Sequence, residues 1–168
     1  MRKITALLGI MIAIAFFSGV VAAHDYVGAE KCKICHKGEA KGNIWEIWEK
    51  SPHANAYKTL VAKGDGSEKK AECLTCHVTG YGKPTGFALT DSTVNLSLAS
   101  VGCEVCHGPG ADYKAMAVMK DKEKAIAAGL IIPKEENCKT CHNEKSPTFK
   151  GFDFATYWKK IEHKVPAK

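Results

Sequence analysis

A mainly α-helical chain with extensive loops, whose core is not filled by side chains alone, is the fold class this sequence predicts. Three observations predict it. Five residues recur four times in the order Cys-x-x-Cys-His, at Cys32 to His36, Cys73 to His77, Cys103 to His107 and Cys138 to His142. The segments with helical periodicity are short, and stretches rich in glycine, serine and threonine separate them. Aromatic residues make up only 8% of the chain, too few to build a large flat apolar interior.

The spacing within each repeat states its chemistry. Two thiols separated by two residues reach the two vinyl groups on one porphyrin edge, and the next histidine falls under the iron as its proximal ligand. Cys32, Cys35, Cys73, Cys76, Cys103, Cys106, Cys138 and Cys141 are read as thioether attachment points, and His36, His77, His107 and His142 as iron ligands. Together they use all 8 cysteines. The expectation is four covalently bound haem c groups. Zinc ribbons also use Cys-x-x-Cys pairs, but two zincs would leave four histidines in fixed position unexplained. A redox dithiol needs one such pair, not four. With roughly 36 residues to each haem, the porphyrins must pack against one another and against thin layers of helix. The architecture expected is a multihaem cytochrome c with a haem-packed core.

The start of the chain reads as a leader. Arg2 and Lys3 precede an apolar run over residues 4–17, and Ser18-Gly19-Val20-Val21-Ala22-Ala23 offers small residues for cleavage after Ala23. The apolar run is short for a membrane span. The expected organisation is therefore a signal peptide over residues 1–23 and one tetrahaem domain over residues 24–168, exported to the periplasm with no span left after cleavage. The formal charge of +6 falls by two with Arg2 and Lys3. Eight propionates against four ferric irons would then bring the oxidised protein near neutrality, so the basic sequence does not point to nucleic acid. No phosphate-cradling glycine loop and no basic–aromatic alternation is present.

Along the chain, Trp45-Glu46-Ile47-Trp48 reads as a short helical or irregular apolar segment. Ser51 is expected to cap a helix with Pro52 at its first position, running to about Lys63 and stopping at Gly64. His53, Ala56, Tyr57 and Leu60 share one face of it. Residues 63–72 read as a surface loop, and residues 80–100 as a loop over one haem edge. Gly108-Pro109-Gly110 forces a turn. Residues 111–128 are expected to form one helix ended by Gly129, and Asp153 to cap a last helix with the face Phe154, Tyr157, Trp158 and Ile161, closed by His163.

Seven histidines serve four irons. Once the four proximal ligands are assigned, His24, His53 and His163 remain for four distal positions. At least one iron therefore lacks a distal histidine within the chain. Methionine, Met116 or Met119, could fill the gap; otherwise the position is open, or a neighbouring subunit supplies it.

The sequence resembles the tetrahaem cytochrome c-554 family of nitrifying and metal-respiring bacteria. The resemblance rests on Trp48-x-x-Ser51-Pro52-His53-Ala54, on Glu72-Cys73-Leu74-Thr75-Cys76-His77-Val78-Thr79-Gly80, and on Val101-Gly102-Cys103-Glu104-Val105-Cys106-His107-Gly108-Pro109-Gly110. It implies that His53 is the distal ligand of the haem bound by His107. It also implies that the haem bound by His77 is five-coordinate, and that the family's work is to carry electrons from a periplasmic oxidase, with some reactivity toward small nitrogen oxides. This chain has no histidine between His77 and His107, where the family places another distal ligand. That leaves His163 and His24 to serve His36 and His142.

The function expected is electron transfer between redox partner proteins, with no nucleic-acid partner. Two alternatives remain open. One is reduction of a small nitrogen oxide at a five-coordinate iron. The other is a cytochrome homo-oligomer in which one subunit's histidine ligates the next subunit's haem.

Overall fold

A computed structural model of the protein describes residues 24–89 and 95–166. The expected leader, residues 1–23, lies outside the described residues, so its reading stays an expectation from sequence. Among the described residues there are nine short α-helices, four 3-10 turns and no strand, joined by long irregular connections.

Each motif sits on its own helix. The first ends α1 (Ala29–His36), the second ends α4 (Ala71–His77) and the third makes up α5 (Cys103–His107). The fourth begins inside α8 (Glu135–Lys139) and leaves it in a turn at His142. Between them run α2 (Ile44–Glu49), α3 (Ala56–Lys63), α6 (Met116–Met119) and α7 (Lys122–Ala127), and α9 (Phe154–Trp158) follows the last motif. α1 packs on α2 and α5, α3 on α4, and α6 on α7.

The helix expected after Ser51 begins differently from the expectation. Pro52–Asn55 forms a 3-10 turn, and α3 follows it. The Ser51 hydroxyl does not cap; it donates back to the Trp48 carbonyl at 2.6 Å. The end of the helix is where glycine belongs, at Gly64 with φ 67°. Ala56, Tyr57 and Leu60 are buried, as their shared face requires. Residues 111–128 do not form one helix. The Asp121 carboxylate accepts the Lys124 N–H at 3.1 Å, starting α7 anew after α6 has ended at Met119. A polar side chain that can satisfy a free N–H has interrupted an otherwise helical pattern. Asp153 caps α9 as expected, accepting the Thr156 N–H at 2.8 Å.

The apolar core is small. Tyr57, Leu74, Val78, Phe87 and Leu98 form one buried cluster around the second motif. Large apolar side chains elsewhere face outward, Ile34 and Leu96 each at 77% exposure. A chain that leaves such groups uncovered while burying so few has an interior made by something other than side chains.

Buried hydrogen bonds replace much of the missing core. Glu104, only 2% exposed, accepts the N–H groups of Val27, Gly28 and Gly110 at 2.9, 2.8 and 2.7 Å. It pins the N-terminal segment and the Gly108–Gly110 turn to the third motif helix. Thr79 does the same for the second motif: its hydroxyl donates to the Ser100 carbonyl at 2.7 Å and accepts the Gly102 N–H at 3.0 Å. Val101 accepts the Trp48 indole N–H at 2.9 Å and donates to the His53 carbonyl at 3.1 Å.

Glu104→Ala should be the most damaging substitution outside the motifs, costing about 3 kcal/mol or more because three buried donors lose their acceptor. Asp121→Ala, which removes an exposed cap, should cost much less. Denaturant unfolding of the purified holoprotein, followed by far-ultraviolet circular dichroism, ranks the two variants.

Candidate haem-binding site

The helix places the motif's reactive atoms together. Cysteines at i and i+3 and a histidine at i+4 lie on neighbouring positions of one helical turn. All eight thiols are free of disulfides, and all but Cys35 are partly buried. Burial pushes the Cys76 and Cys106 thiols up to about 11. Cys103 is also pushed up, first by its hydrogen bond with Cys32, which is lowered by the same contact. Reactive dithiols depend on lowered values, which Cys76, Cys103 and Cys106 do not have.

Every histidine among the seven is partly buried. Burial holds the imidazoles of His36, His53, His107 and His142 below the ordinary value, keeping them neutral and able to offer a lone pair. Carbonyls fix the tautomer of three. His77 Nδ1 donates to the Ala56 carbonyl at 2.8 Å, His107 Nδ1 to Ile131 at 3.0 Å and His163 Nδ1 to Ile161 at 3.0 Å. A carbonyl only accepts, so each Nδ1 carries the proton and each Nε2 is left free for a metal.

Two pairs of rings face one another. His107 and His163 have centroids 5.9 Å apart at 55°, and His53 and His142 are 5.9 Å apart at 65°. Two imidazoles on opposite sides of one iron need roughly 6 Å, which is two metal–nitrogen bonds of about 2 Å plus the ring radii. The resemblance placed His53 opposite His107. In the structure the histidine ring nearest His53 is that of His142, and the one nearest His107 is that of His163. No other pair of histidine rings lies this close among the described residues. His36 and His77 therefore face none in this way, although His163 also lies near enough to His36 to depress it.

His24 is brought to neither His36 nor His77. Its Nδ1 is bound by the Asp112 carboxylate, and its ring lies over Gly129, where a Cβ would meet Nε2 at 3.3 Å. Met116 is 60% exposed in α6.

The cysteines also report which motifs adjoin. Cys32 and Cys103 contact one another, Cys76 contacts Cys141, and Cys106 lies near Cys138 and Cys141. Sequence reading could not supply these neighbours, because they join motifs through long-range folding. Beside His142 opens a cleft of about 570 Å³ lined by Lys139, Asn143, Lys145, Phe149 and Phe152, with Phe152 stacked on the imidazole at 4.8 Å. It is of the size that takes a small-molecule cofactor.

These residues fit covalently bound haem c. The thiols, the free Nε2 atoms and the two 5.9 Å ring pairs are its donor set. Trp45 Nε1, buried beside the first motif with no partner, is a donor for a carboxylate that the polypeptide does not supply. Among the described residues, no group of three or more His, Cys, Asp and Glu side chains gathers as a conventional metal cage.

Comparison with known proteins agrees with this chemistry. Residues 31–108 match the family model described as cytochrome c554 and c-prime. Cytochrome c-554 of Nitrosomonas europaea is 29% identical over 178 aligned residues, covering 89% of this chain and 73% of that protein. The solved structure of the reduced state of cytochrome c554 from Nitrosomonas europaea superposes with a TM-score of 0.58 at 26% identity, covering 83% of this chain and 79% of the other.

His53→Ala should open the iron held by His142. In a background lacking the fourth attachment site (Cys138→Ala with Cys141→Ala), the same substitution should produce no further low-spin to high-spin change. In a background lacking the third site it should still produce one. His24→Ala should leave every spin state unchanged. Electron paramagnetic resonance of the oxidised variants reads all three outcomes.

Proposed function

We propose that the chain is a member of the cytochrome c554 family, which it resembles in sequence and fold, and that it is a periplasmic tetrahaem carrier on covalently bound haem c, passing electrons between redox partner proteins. Haem c supplies a one-electron iron couple at each motif. The observation that carries the proposal is the continuity of the four motifs. A thioether ties a porphyrin edge to its cysteine, so cysteines in contact bring two such edges together. The contacts of Cys32 with Cys103 and of Cys76 with Cys141, and the nearness of Cys106 to Cys138 and Cys141, support the motif order first, third, fourth, second. One unbroken path then runs from His36 through His107 and His142 to His77.

The chain's residues divide the work along that path. His163 and His53 stand opposite His107 and His142 and would hold the two inner irons on both sides, the arrangement that changes least on gaining an electron. The outer motifs, at His36 and His77, are the points of entry and exit. Export rests on the leader signal of Arg2, Lys3 and Ala23. No helix among the described residues is long and apolar enough to cross a membrane.

A second reading, reduction of a small nitrogen oxide, is favoured by one observation: no histidine ring faces His77. Against it, the buried side chains beside that motif are apolar except for Tyr57, whose phenol burial pushes up, and Thr79, whose hydroxyl is already committed to Ser100 and Gly102. These are poor proton sources for reduction.

A reductive titration of the holoprotein should take up about four electrons per chain and return them to an added acceptor. Uptake of two or fewer would overturn the tetrahaem reading. Nitric oxide should bind the reduced protein, while steady-state turnover with excess reductant stays negligible. Sustained turnover would move the reductase reading ahead.

A further inference from the structure

We propose that the C-terminal tail is a latch that docks on Gly42 and holds His163 against the iron of the third motif. The inference rests on His163 being that iron's distal ligand and goes beyond it, by naming what keeps the ligand in place.

His163 lies beyond the last helix. α9 ends at Trp158, and the chain continues through two turn bonds, from Ile161 and Glu162 N–H to the Trp158 carbonyl at 3.0 and 2.8 Å. A ligand placed on irregular backbone beyond a helix has freedom to leave, and ordering it costs entropy unless the segment after it is also held.

That segment is held. Residues 164–166 run against Gly42, in the connection between the first motif and α2. Gly42 has φ 81° and ψ 18°, a left-handed conformation that ends the Glu39–Lys41 turn. The approach is so close that a Cβ at position 42 would overlap the Lys164 carbonyl oxygen and meet Pro166 Cδ at 3.2 Å. Backbone stands against backbone, so no side-chain rotation can relieve an added methyl. His163 is thus fixed from both sides, by the turn bonds to Trp158 before it and by the Gly42 contact after it.

The latch also joins two motifs. Gly42 follows His36 in the first-motif connection, while the ring it positions faces His107 of the third. His163 is near enough to His36 to influence it. The tail therefore spans the junction of the first and third motifs, where Cys32 and Cys103 also meet. Gly42 is a positioning residue: it touches no iron and acts through His163.

The matched control is Gly64, also left-handed with φ 67° and ψ 15°, where an added Cβ meets nothing within 4 Å. Alanine at either position carries the same kind of backbone strain, but only Gly42→Ala pushes on the tail. The experiment compares holoproteins carrying Gly42→Ala, Gly64→Ala, His163→Ala, and a truncation ending at His163, which keeps the ligand and removes the latch. The readouts are the count of low-spin irons by electron paramagnetic resonance and carbon monoxide uptake by the reduced protein. His163→Ala should convert one iron to high-spin and raise carbon monoxide uptake by about one equivalent per chain. Gly42→Ala and the truncation should each move in the same direction, and Gly64→Ala should match the wild type. If His163→Ala changes nothing, the ligand assignment fails and the latch with it. If His163→Ala acts while Gly42→Ala and the truncation both match Gly64→Ala, the ligand stands and the latch is overturned.

Discussion

Two imidazoles can serve one iron only if their ring centres stand about 6 Å apart with both Nε2 atoms turned to the metal, and the structure brings two pairs of rings to that spacing, at 5.9 Å each. Much of the fold depends on doing so. His53 rides on a 3-10 turn whose carbonyl is tied to Val101, and His163 leaves α9 with its Nδ1 bonded to Ile161. Their partners are set differently: α5 ends at His107, whereas α8 ends at Lys139 and His142 follows it in a turn. Carbonyl bonds at Nδ1 turn a generic histidine into one with a single available nitrogen. Among the described residues His36 and His77, in the first and second motifs, have no other histidine ring at that spacing.

The same condition explains the thin polypeptide. A small cluster around Leu74 and Phe87 is the main side-chain core, and it lies beside the second motif. Elsewhere the helices are held by buried polar anchors: Glu104 gathers three N–H groups, and Thr79 bridges Ser100 and Gly102. Such bonds fix direction as well as distance, which apolar contact does not. A core intended for flat rigid groups needs walls at set orientations, and hydrogen bonds to backbone provide them.

How legible this was in the sequence follows the range of each interaction. The motifs, the stop at Gly64 and the Asp153 cap are local chemistry within a few residues, and all were readable. The mainly helical, loop-rich class followed from the same short periodic segments. The break at Asp121 was missed because a cap competes with a helical pattern only when the turn before it has already ended. The pairing of His53 with His142 was not legible, since 89 positions separate them in sequence and nothing in either segment names the other. The resemblance pointed to His107 instead. Glu104 passed as an ordinary residue between two motif cysteines, though its carboxylate is among the most buried polar groups in the structure. Its acidic side chain, where the first and fourth motifs carry Lys33 and Lys139, is the signal that sets it apart. His24 was expected near an iron; its contact with Asp112, 88 residues away, was equally invisible.

The central claim is that the chain's own histidines bind two irons on both sides and leave two with a single histidine. Spin quantification of the fully oxidised wild-type protein by low-temperature electron paramagnetic resonance tests it most directly. The account predicts two low-spin irons with bis-histidine signatures, and two others whose signals lack that signature. Three or four bis-histidine irons in dilute protein would contradict it, because among the described residues two pairs of histidine rings lie within 6 Å of each other.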